Sequence, residues 1–513
     1  MAIHAPTTLE ETLSDLTNQL GGLREAVLRE GAARLAELDR RTGRAEASVV
    51  NLAHYLALRS HDLRPLQRRL MQHGLSSLGR LEGRVLPSLD AVLRAAEALA
   101  GREPSVAAPD ETAFFAGEAE LRMATDALFG SSPAHRQGRV MMTLPAEAAG
   151  DSRLVLRYAR AGMDIARINC AHDDAGAWAA MARNVRSAGR KIGREIRIHM
   201  DIAGPKIRTD ATASLEKKDR IDAGGILRLV AASEPRVDQE APFSATLSLP
   251  SLVGRLRIGD RFAYDDGKLA GEVVALRVGE ALVKIARAKT GGVKLKPEKG
   301  VNLPDTALGL SPLTAKDRVD LDAVIGLADI IGYSFVRCAD DIDLLEAALA
   351  GRNRSARPLG LIAKIERPEA VRNLPSLIAR AAGRRPFGVM IARGDLAAEI
   401  GFERLAEMQE EILWICEAGR VPAVWATQVL EGLVKEGAPS RGEMTDAAMA
   451  ARAECVMLNK GPNAEAAIML LGRLLERMDG HLHKKTPTLR ELHAFNSRPE
   501  SAAIAPVAGP RGA

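Results

Sequence analysis

Aromatic side chains and cysteines are scarce in this sequence of 513 residues. Phe, Trp and Tyr together make up 3% of the chain, which disfavours a surface on which the bases of a nucleic acid would stack. The 4 cysteines are scattered without a C-x-x-C pair, so they indicate neither a zinc site nor a disulfide framework. Cysteines of this kind fit a reducing compartment, and we therefore expect a cytoplasmic protein.

Signals for membrane insertion and for several catalytic classes are missing as well. No apolar run reaches the roughly 18 residues that span a bilayer, and the first residues, MAIHAPTTLEETL, lack the pattern of a secretory leader. There is no G-x-x-x-x-G-K-[ST] loop, kinase-type H-R-D set, G-x-S-x-G or H-E-x-x-H motif. Phosphoryl transfer by this chain would therefore use neither a P-loop nor a protein-kinase mechanism.

The charge balance is mild for a chain of this length. Lys and Arg number 71 against 66 Asp and Glu, which gives a net charge of +5. This balance permits anionic substrates but does not require a nucleic acid as partner.

The first 135 residues have the pattern of helices. Apolar residues recur at steps of three and four, as in Leu9, Leu13, Leu16 and Leu20, which places them on one helical face. Runs typical of strands are scarce in this part of the chain. We therefore predict an all-α extension over residues 1–135.

Four further segments follow the extension. Two of them alternate short apolar runs with amphipathic helices, and the segment between them has strand-like alternation with many Gly and charged residues. The last segment is polar and then rich in Ala, Pro and Gly. We predict the first part of a barrel at 136–208, an inserted β lid at 209–300, the second part of the barrel at 301–480 and a C-terminal tail at 481–513.

Eight runs in the two barrel segments have the near-continuous hydrophobicity of strands buried on both faces. Apart from one long gap they recur every ~25–35 residues, the period of a (β/α)8 barrel. We predict these strands at 139–144, 163–170, 196–204, 328–336, 359–366, 387–395, 421–428 and 454–461. The predicted fold class is α/β, a (β/α)8 TIM barrel with a small β-rich lid inserted after strand 3 and an N-terminal all-α region.

Polar side chains stand at the carboxyl ends of these strands, where catalysis sits in a barrel. They are Arg167, Asn169, Asp201, Ser334, Lys364, Glu366, Arg393, Asp395, Thr427, Gln428, Asn459 and Lys460. Polar groups that end apolar strands are costly to bury, and one or two of them could be structural ion pairs. A nearly complete ring points instead to a shared site.

Lys364 and Glu366 lie on the same side of one strand because side chains alternate, and Asp395 ends the next strand. Two carboxylates from adjacent strands suit Mg²⁺, which completes its shell with water and substrate oxygens. Lys364 and Arg167 would add positive charge, so that metal and side chains together neutralise a phosphoryl group in transfer. A Lys–Glu ion pair that closes the barrel mouth is the structural alternative.

Specific motifs accompany these residues along the chain. They include AGMDIARINCAH (161–172), DIAGPKIRT (201–209), KGVNLPD (299–305), LTAKDRVDL (313–321), AKIERPEAVRN (363–373), VMIARGDLAAEI (389–400), ATQVLEGL (426–433) and PSRGEMTDAA (439–448). In this order and spacing, the chain from about 139 to 480 resembles the pyruvate kinase family. The resemblance implies a barrel with a lid after its third strand, and the reaction of phosphoenolpyruvate with ADP to give pyruvate and ATP.

The resemblance also implies roles for the catalytic residues. Glu366 and Asp395 match the ligands of the catalytic divalent ion, Mg²⁺ or Mn²⁺. Lys364 matches the lysine that stabilises the phosphoryl group in transfer, and Arg167 matches the arginine that contacts it. Thr427 matches the threonine beside the enolate carbon, where a proton is delivered.

Substrate contacts follow from the same resemblance. The backbone at Gly394 and Asp395 would receive the substrate carboxylate, and Arg167, Thr427 and Ser334 would complete the substrate site. The residues implied for ADP or ATP are Arg208, Lys299, Asn169 and His172.

The monovalent-cation site of the family is altered here. It usually draws on an Asn, a Ser, an Asp and a Thr. Asn169 and Asp201 remain, but Ala171 and Ile202 stand at the Ser and Thr positions, and Lys206 replaces the usual Glu. Because an ammonium group can supply the positive charge that K⁺ otherwise provides, we predict an activity that does not require K⁺.

Two further departures concern the last strand and the architecture. MLNKGP at 457–462 stands where the family commonly has M-L-S-G-E-T, and the family's usual C-terminal effector domain has no room in this sequence. Allostery of the usual kind is therefore not expected. The N-terminal helices would pack on the barrel, form the interface of a homo-oligomer or bind another partner.

Two other functions stay open at this stage. The metal pair would also suit a lyase or aldolase that acts on pyruvate or oxaloacetate. A non-catalytic protein that senses phosphoenolpyruvate, with the helical extension as its output, is the second alternative. Lys299 and Arg208 in the lid region favour the use of a nucleotide over the lyase or aldolase, whereas the changes at positions 171, 202, 206 and 459–462 keep the sensor open.

Overall fold

The computed structural model describes residues 9–38, 46–216, 219–265, 267–352 and 358–487. The first part of the chain is all-α, as predicted. Its helices are α1 (Leu9–Leu38), α2 (Ala47–Leu58), α3 (Arg64–Gln72), α4 (Val85–Leu99) and α5 (Glu111–Phe129). None of the helices that the structure describes is both long and apolar enough to cross a membrane.

The first βα units of the barrel come next, followed by the strands of a separate sheet. The barrel elements are β1 (Arg139–Thr143), α6 (Ser152–Ala161), β2 (Ile165–Asn169), α7 (Ala175–Ile192) and β3 (Arg197–Asp201). The strands of the inserted sheet are β4 (Thr209–Ser214), β5 (Ile226–Val230), β6 (Phe243–Leu247), β7 (Arg261–Tyr264), β8 (Leu269–Arg277), β9 (Glu280–Ala288) and β10 (Val301–Asn302).

The second part of the barrel continues with strands and helices in alternation. Its strands are β11 (Ile330–Tyr333), β12 (Gly360–Ile365), β13 (Phe387–Ala392), β14 (Ala423–Ala426) and β15 (Cys455–Leu458). Its helices are α8 (Ala315–Leu327), α9 (Ala339–Leu349), α10 (Pro368–Arg372), α11 (Leu374–Ala381), α12 (Arg393–Ile400), α13 (Phe402–Ala418), α14 (Glu431–Glu436), α15 (Arg441–Ala450) and α16 (Ala464–Asp479).

A short antiparallel hairpin follows the barrel. It pairs β16 (Leu482–His483) with β17 (Thr486–Pro487). The remainder of the tail predicted at 481–513, from residue 488 onward, lies outside the described residues.

Eight parallel strands close the barrel in the order β1-β15-β14-β13-β12-β11-β3-β2. Each predicted strand is present, and the predicted fold class is confirmed. The inserted sheet has seven strands in the order β10-β7-β8-β9-β5-β6-β4 and a hydrophobic core of its own. It leaves the barrel after β3, at the carboxyl end of the strands, and so forms a lid over that end.

Polar side chains fix where several barrel helices begin. Asp151 accepts from the N–H groups of Arg153 and Leu154 in the first turn of α6, and Asp174 accepts from the Ala177 N–H in the first turn of α7. Thr314 and Asp317 form a reciprocal capping box at the start of α8. Side chains of this kind satisfy N–H groups that have no partner within the helix, which sets the helix boundary.

The last turn of α5 closes the amino-terminal end of the barrel. Leu128 and Phe129 are buried in one cluster with inward-facing barrel residues, which include Met141, Ile165, Ile330, Ile362 and Met390. Gly388 in β13 leaves room for this contact, since a Cβ there would lie 2.5 Å from Leu128 Cδ2. The extension therefore completes the barrel core.

Polar contacts also join the extension to the barrel. Asn51 in α2 donates to the carbonyl oxygens of Glu82, at 2.7 Å, and of Ala418 at the end of α13, at 2.8 Å. Glu120 in α5 forms an ion pair with Arg420, just before β14. The helical region thus packs directly on the end of α13 and on the segment before β14. Thr427 follows β14.

Candidate active site

The strand register brings the predicted site residues to one end of the barrel. Asn169 and Asp201 are paired across β2 and β3, and Lys364 in β12 pairs with Met390 in β13. Glu366 follows β12 directly, and Asp395 lies in the first turn of α12, immediately after β13. Because parallel strands present their carboxyl ends at the same rim, residues far apart in the chain meet there.

Asp201 is fully buried between two cations. Its Oδ2 atom lies 2.6 Å from Arg167 Nε and 3.8 Å from Lys364 Nζ. Arg167 also donates to Thr143 Oγ1 at 3.1 Å. Burial alone would raise the pKa of Asp201, but Arg167 and Lys364 outweigh it and hold the pKa well below its usual range. The carboxylate therefore stays ionised and fixes the guanidinium beside it.

Lys364 connects Asp201 to the predicted metal ligands. Its Nζ atom lies 2.8 Å from Glu366 Oε1 and donates to Ser334 Oγ at 2.9 Å. Burial would lower the pKa of Lys364, yet the carboxylates of Asp201 and Glu366 raise it above its usual value. The lysine–glutamate ion pair considered as a structural alternative is thus present, but as part of a larger charged network.

Glu366 and Asp395 are both held by nitrogen donors. Glu366 Oε2 accepts from the Phe335 N–H at 2.8 Å, and Lys206 Nζ lies 2.9 Å from Asp395 Oδ1. Burial raises the pKa of Glu366, with Lys364 acting against it and Asp395 in the same direction. Burial would also raise the pKa of Asp395, but Lys206 outweighs it, so that the pKa is lowered.

The chemistry of these donors fits a divalent ion bound together with its substrate. Two carboxylates, Glu366 and Asp395, stand close enough to affect each other's protonation. Within the described ranges, no group of three His, Cys, Asp or Glu residues is arranged to hold a metal. Mg²⁺ commonly uses one or two carboxylates and takes its remaining ligands from water and substrate phosphate, so a full protein cage is not needed.

The rim beside Asp395 is shaped by Thr427. The N–H of Gly394 donates to Thr427 Oγ1 at 2.9 Å. Thr427 has a φ of 66° and Gln428 a φ of 55°, left-handed conformations that are uncommon for side chains of this kind. Such strain persists only where the surroundings impose it, and it often marks a functional site.

Arg393 supplies part of that constraint, in a role that the sequence did not reveal. It donates to the carbonyl oxygens of Ala426, at 2.9 Å, and Thr427, at 2.7 Å, and forms an ion pair with Asp446 in α15. Its guanidinium also lies 4.7 Å from the centre of the Trp425 ring. Asp446 belongs to the PSRGEMTDAA motif, and the presence of this motif was the only sequence feature that pointed to the ion pair with Arg393.

The predicted nucleotide residues lie on β2's end and on the strand connections of the lid. Arg208 donates to the Glu298 carbonyl oxygen at 2.8 Å, and Lys299 Nζ lies 3.4 Å from Asp265 Oδ1. The Thr209 N–H donates to the Lys299 carbonyl oxygen, which holds the two cations on neighbouring segments. Each cation is partly exposed.

His172 and Asn169 follow on the barrel side of this region. Burial lowers the pKa of His172, and the positive charges of Lys460 and Arg208 act in the same direction. The side-chain oxygen of Asn169 accepts from the Ala171 N–H at 3.2 Å. The positive charges of Lys460, Arg208 and Arg167 near this imidazole favour the binding of phosphate oxygens.

The residues predicted for an altered monovalent-cation site lie in two parts of the rim. Asn169 and Asp201 face each other across β2 and β3, and Arg167 neutralises Asp201. Lys206 binds Asp395, so the substituted positive charge lies at the predicted divalent-ion ligand. In the MLNKGP segment, Asn459 donates to Glu431 Oε2 at 3.0 Å, which ties the loop after β15 to α14.

Comparisons with known proteins agree with this geometry. The family model described as "Pyruvate kinase, barrel domain" matches residues 135–467. A pyruvate kinase of Agrobacterium vitis is 32% identical over 356 residues, which cover 68% of this chain and 70% of that protein. A pyruvate kinase of Geobacillus stearothermophilus is 32% identical over 326 residues, covering 61% of this chain and 51% of that protein.

A solved structure is similar as well. The crystal structure of a pyruvate kinase from Cryptosporidium parvum superimposes with a TM-score of 0.58 at 26% identity. The match covers 70% of this chain and 73% of that one. The family model leaves out residues 1–134, which contain the helical extension.

Proposed function

The chain belongs to the pyruvate kinase family, and we propose that it transfers the phosphoryl group of phosphoenolpyruvate to ADP, giving pyruvate and ATP. The observation that carries this proposal is the buried network in which Lys364 joins Asp201 and Arg167 on one side to Glu366 on the other. Such a network would place cations beside the position where negative charge develops on the phosphoryl group. Stabilising that charge is the main requirement of phosphoryl transfer.

Glu366 and Asp395 would hold the divalent ion, Mg²⁺ or Mn²⁺. When bound, such an ion neutralises charge on the phosphoryl oxygens. Burial raises the pKa of Glu366, and the Lys364 ammonium group acts against this shift. Lys206 lowers the pKa of Asp395, which favours its carboxylate form as a ligand.

Arg167 and Lys364 would contact the phosphoryl group in transfer. Asp201 holds the Arg167 guanidinium from one side, which leaves its remaining N–H groups to bind phosphate oxygens. The raised pKa of Lys364 keeps its ammonium group charged throughout the physiological range. Ser334, which accepts from Lys364 and donates to the Ile202 carbonyl oxygen at 2.8 Å, would fix the direction of that ammonium group.

The first turn of α12 would bind the substrate carboxylate through the N–H groups of Gly394 and Asp395. A helix amino terminus offers unpaired N–H groups and a favourable dipole for an anion. In the structure the Gly394 N–H donates to Thr427 Oγ1, so an arriving carboxylate would share or replace this bond. The Thr427 hydroxyl only accepts in this bond, so its own O–H would stay available beside the enolate carbon, where a proton is delivered.

The nucleotide would bind between the lid and the barrel. Arg208 and Lys299 would contact its phosphates from the lid connections, and Asn169 and His172 would do so from the end of β2. The partly exposed position of the two cations supports this assignment.

We also propose that turnover does not require K⁺. Ala171 and Ile202 offer no side-chain oxygen to a monovalent cation. Lys206 instead carries a fixed positive charge to the acidic rim, where it contacts Asp395.

A cytoplasmic location is proposed as well, in keeping with four cysteines that are all free. A homo-oligomer that uses the N-terminal helices remains part of the same proposal.

The proposal is tested by turnover of the purified chain with phosphoenolpyruvate, ADP and Mg²⁺, each omitted in turn. We expect pyruvate and ATP in equal amounts, with no pyruvate when ADP is omitted. Release of pyruvate without ADP would indicate lyase or phosphatase chemistry. Binding of phosphoenolpyruvate without any turnover would indicate a sensor and contradict the proposal.

A further inference from the structure

A histidine lies inside the barrel directly below the proposed active site. His199 is in β3, two residues before Asp201, so both side chains point to the barrel interior. In register it stands opposite Arg167 of β2 and Ile330 of β11. Its exposed fraction is 0%, so neither solvent nor a ligand at the rim contacts the ring.

The ring of His199 has a single polar contact in the part of the chain that the structure describes. Its Nε2 atom lies 2.7 Å from Asp201 Oδ1, and Nδ1 has no hydrogen-bond partner among the described residues. Asp201 is an ionised carboxylate and can only accept. The ring therefore donates its Nε2–H to Asp201.

The neighbouring strand is shaped to admit this pair. Gly332 in β11 faces it, and a Cβ at that position would lie 2.6 Å from His199 Nε2 and would overlap Asp201 Oδ1. A side chain of any size at this position would push the carboxylate out of place. Because Gly332 has no side chain, the hydrogen bond between His199 and Asp201 fits into this space.

The hydrogen bond from His199 determines which oxygen of Asp201 faces the two cations. With Oδ1 held by the ring, Oδ2 is the atom that faces Arg167, at 2.6 Å, and Lys364, at 3.8 Å. Without the ring, the carboxylate could turn about its Cβ–Cγ bond and bind the guanidinium in another geometry. A misplacement of about 1 Å in a catalytic group can cost on the order of 10²-fold in rate.

We propose that His199 is a positioning residue, which fixes the Asp201 carboxylate so that Arg167 and Lys364 face the transferred phosphoryl group. The inference rests on the proposed function, because the phosphate contacts of Arg167 and Lys364 belong to it. His199 touches no substrate. It acts through Asp201, and its effect is therefore confined to the phosphoenolpyruvate side of the site.

Two replacements separate the hydrogen bond from the packing of the ring. In His199→Gln the amide nitrogen can take the place of Nε2 and donate to Asp201, whereas His199→Leu has a similar volume and no donor. We expect His199→Leu to lower kcat/KM for phosphoenolpyruvate by on the order of 10–100-fold, since a buried carboxylate oxygen loses its donor. His199→Gln should recover most of this loss, and KM for ADP should stay unchanged in both.

Ile330→Val is the matched control, because Ile330 stands opposite His199 in register and packs in the apolar cluster inside the barrel. It should leave kcat/KM for phosphoenolpyruvate at the wild-type value. Equal losses in the Gln and Leu variants, an unchanged Leu variant, or an equal rise in KM for ADP would each overturn the positioning role.

Calorimetric titration of phosphoenolpyruvate into Mg²⁺-loaded protein keeps the two proposals apart. A wild-type protein that lacks turnover would contradict the proposed function alone, provided that it binds phosphoenolpyruvate. In that case, weaker binding by His199→Leu and recovery in His199→Gln would still support the positioning role. Equal binding by all three proteins would overturn it.

Discussion

Lys206 Nζ lies 2.9 Å from Asp395 Oδ1 and 3.2 Å from Asp395 Oδ2, so one ammonium group neutralises a proposed ligand of the divalent ion. The two residues are 189 positions apart in the chain and meet because the loop after β3 reaches the start of α12. The proposal of K⁺-independent turnover rests on this contact. The positive charge is covalently attached to the protein and lies on the acidic rim.

The first prediction concerns monovalent cations. At constant ionic strength, replacement of K⁺ by tetramethylammonium should leave the kcat of the wild type unchanged. Lys206→Gln should lower kcat by on the order of 10–100-fold, since a proposed transition-state-stabilising charge is lost from a partly buried position. Lys435→Gln, at an exposed lysine that pairs with Glu431, is the control and should have no effect. Strong activation of the wild type by K⁺ would contradict the proposed role of Lys206.

The second prediction concerns the helix end that closes the barrel. Leu128→Ala should lower the free energy of unfolding by about 2–5 kcal/mol, the usual cost of truncating a buried leucine. Met123→Ala in the same helix is the control, because its side chain is 63% exposed, and it should change stability little. Urea unfolding of both variants measures the difference. Equal free energies of unfolding for the wild type and Leu128→Ala would show that the end of α5 is dispensable for the barrel core.

The third prediction concerns Glu417 in α13, which faces the helical extension. Burial raises the pKa of this carboxyl group to about 7, with Lys484 acting against the shift. Between about pH 4.5 and pH 7 the folded protein therefore holds a proton that the unfolded chain has released. Protonated Glu417 contributes fully to the free energy of unfolding below about pH 4.5, and this contribution is lost as the pH rises to about 7.

Glu417→Gln tests this dependence, since glutamine cannot ionise. The stability of the wild type relative to this variant should fall as the pH rises from about 4.5 to about 7, and should then level off. Glu407→Gln in the same helix serves as control, because the Glu407 side chain is 57% exposed. Parallel stability curves for wild type and Glu417→Gln would show that the group titrates normally.

Local sequence patterns were sufficient to predict the barrel. Strands buried on both faces produce continuous apolar runs, so the eight runs and the polar residues at their ends could be recognised one by one. Lys364 and Glu366 could be placed on the same side because alternation fixes it over two residues. Parallel strands end at one rim, which predicted that Asp395 would join them.

Contacts between distant segments could not be predicted in this way. The pairing of Lys206 with Asp395 depends on the path of a loop, for which the sequence has no periodic signal. His199 and Asp201 lie two residues apart on one strand, so alternation places them on the same face, but the room for their hydrogen bond comes from Gly332 of a neighbouring strand. Leu128 looks like any other residue of an amphipathic helix until the barrel core is assembled around it.

The most direct test of the account is the turnover of Glu366→Gln with phosphoenolpyruvate, ADP and saturating Mg²⁺. Glutamine keeps the size of the side chain but removes the charge that would hold the ion, so kcat should fall by on the order of 10²–10³-fold. Glu399→Gln is the matched control, as Glu399 is a buried glutamate of α12 that accepts from Asn302 at 3.1 Å and has no proposed catalytic role. Wild-type turnover by Glu366→Gln would contradict the central claim that Glu366 and Asp395 hold the ion on which phosphoryl transfer depends.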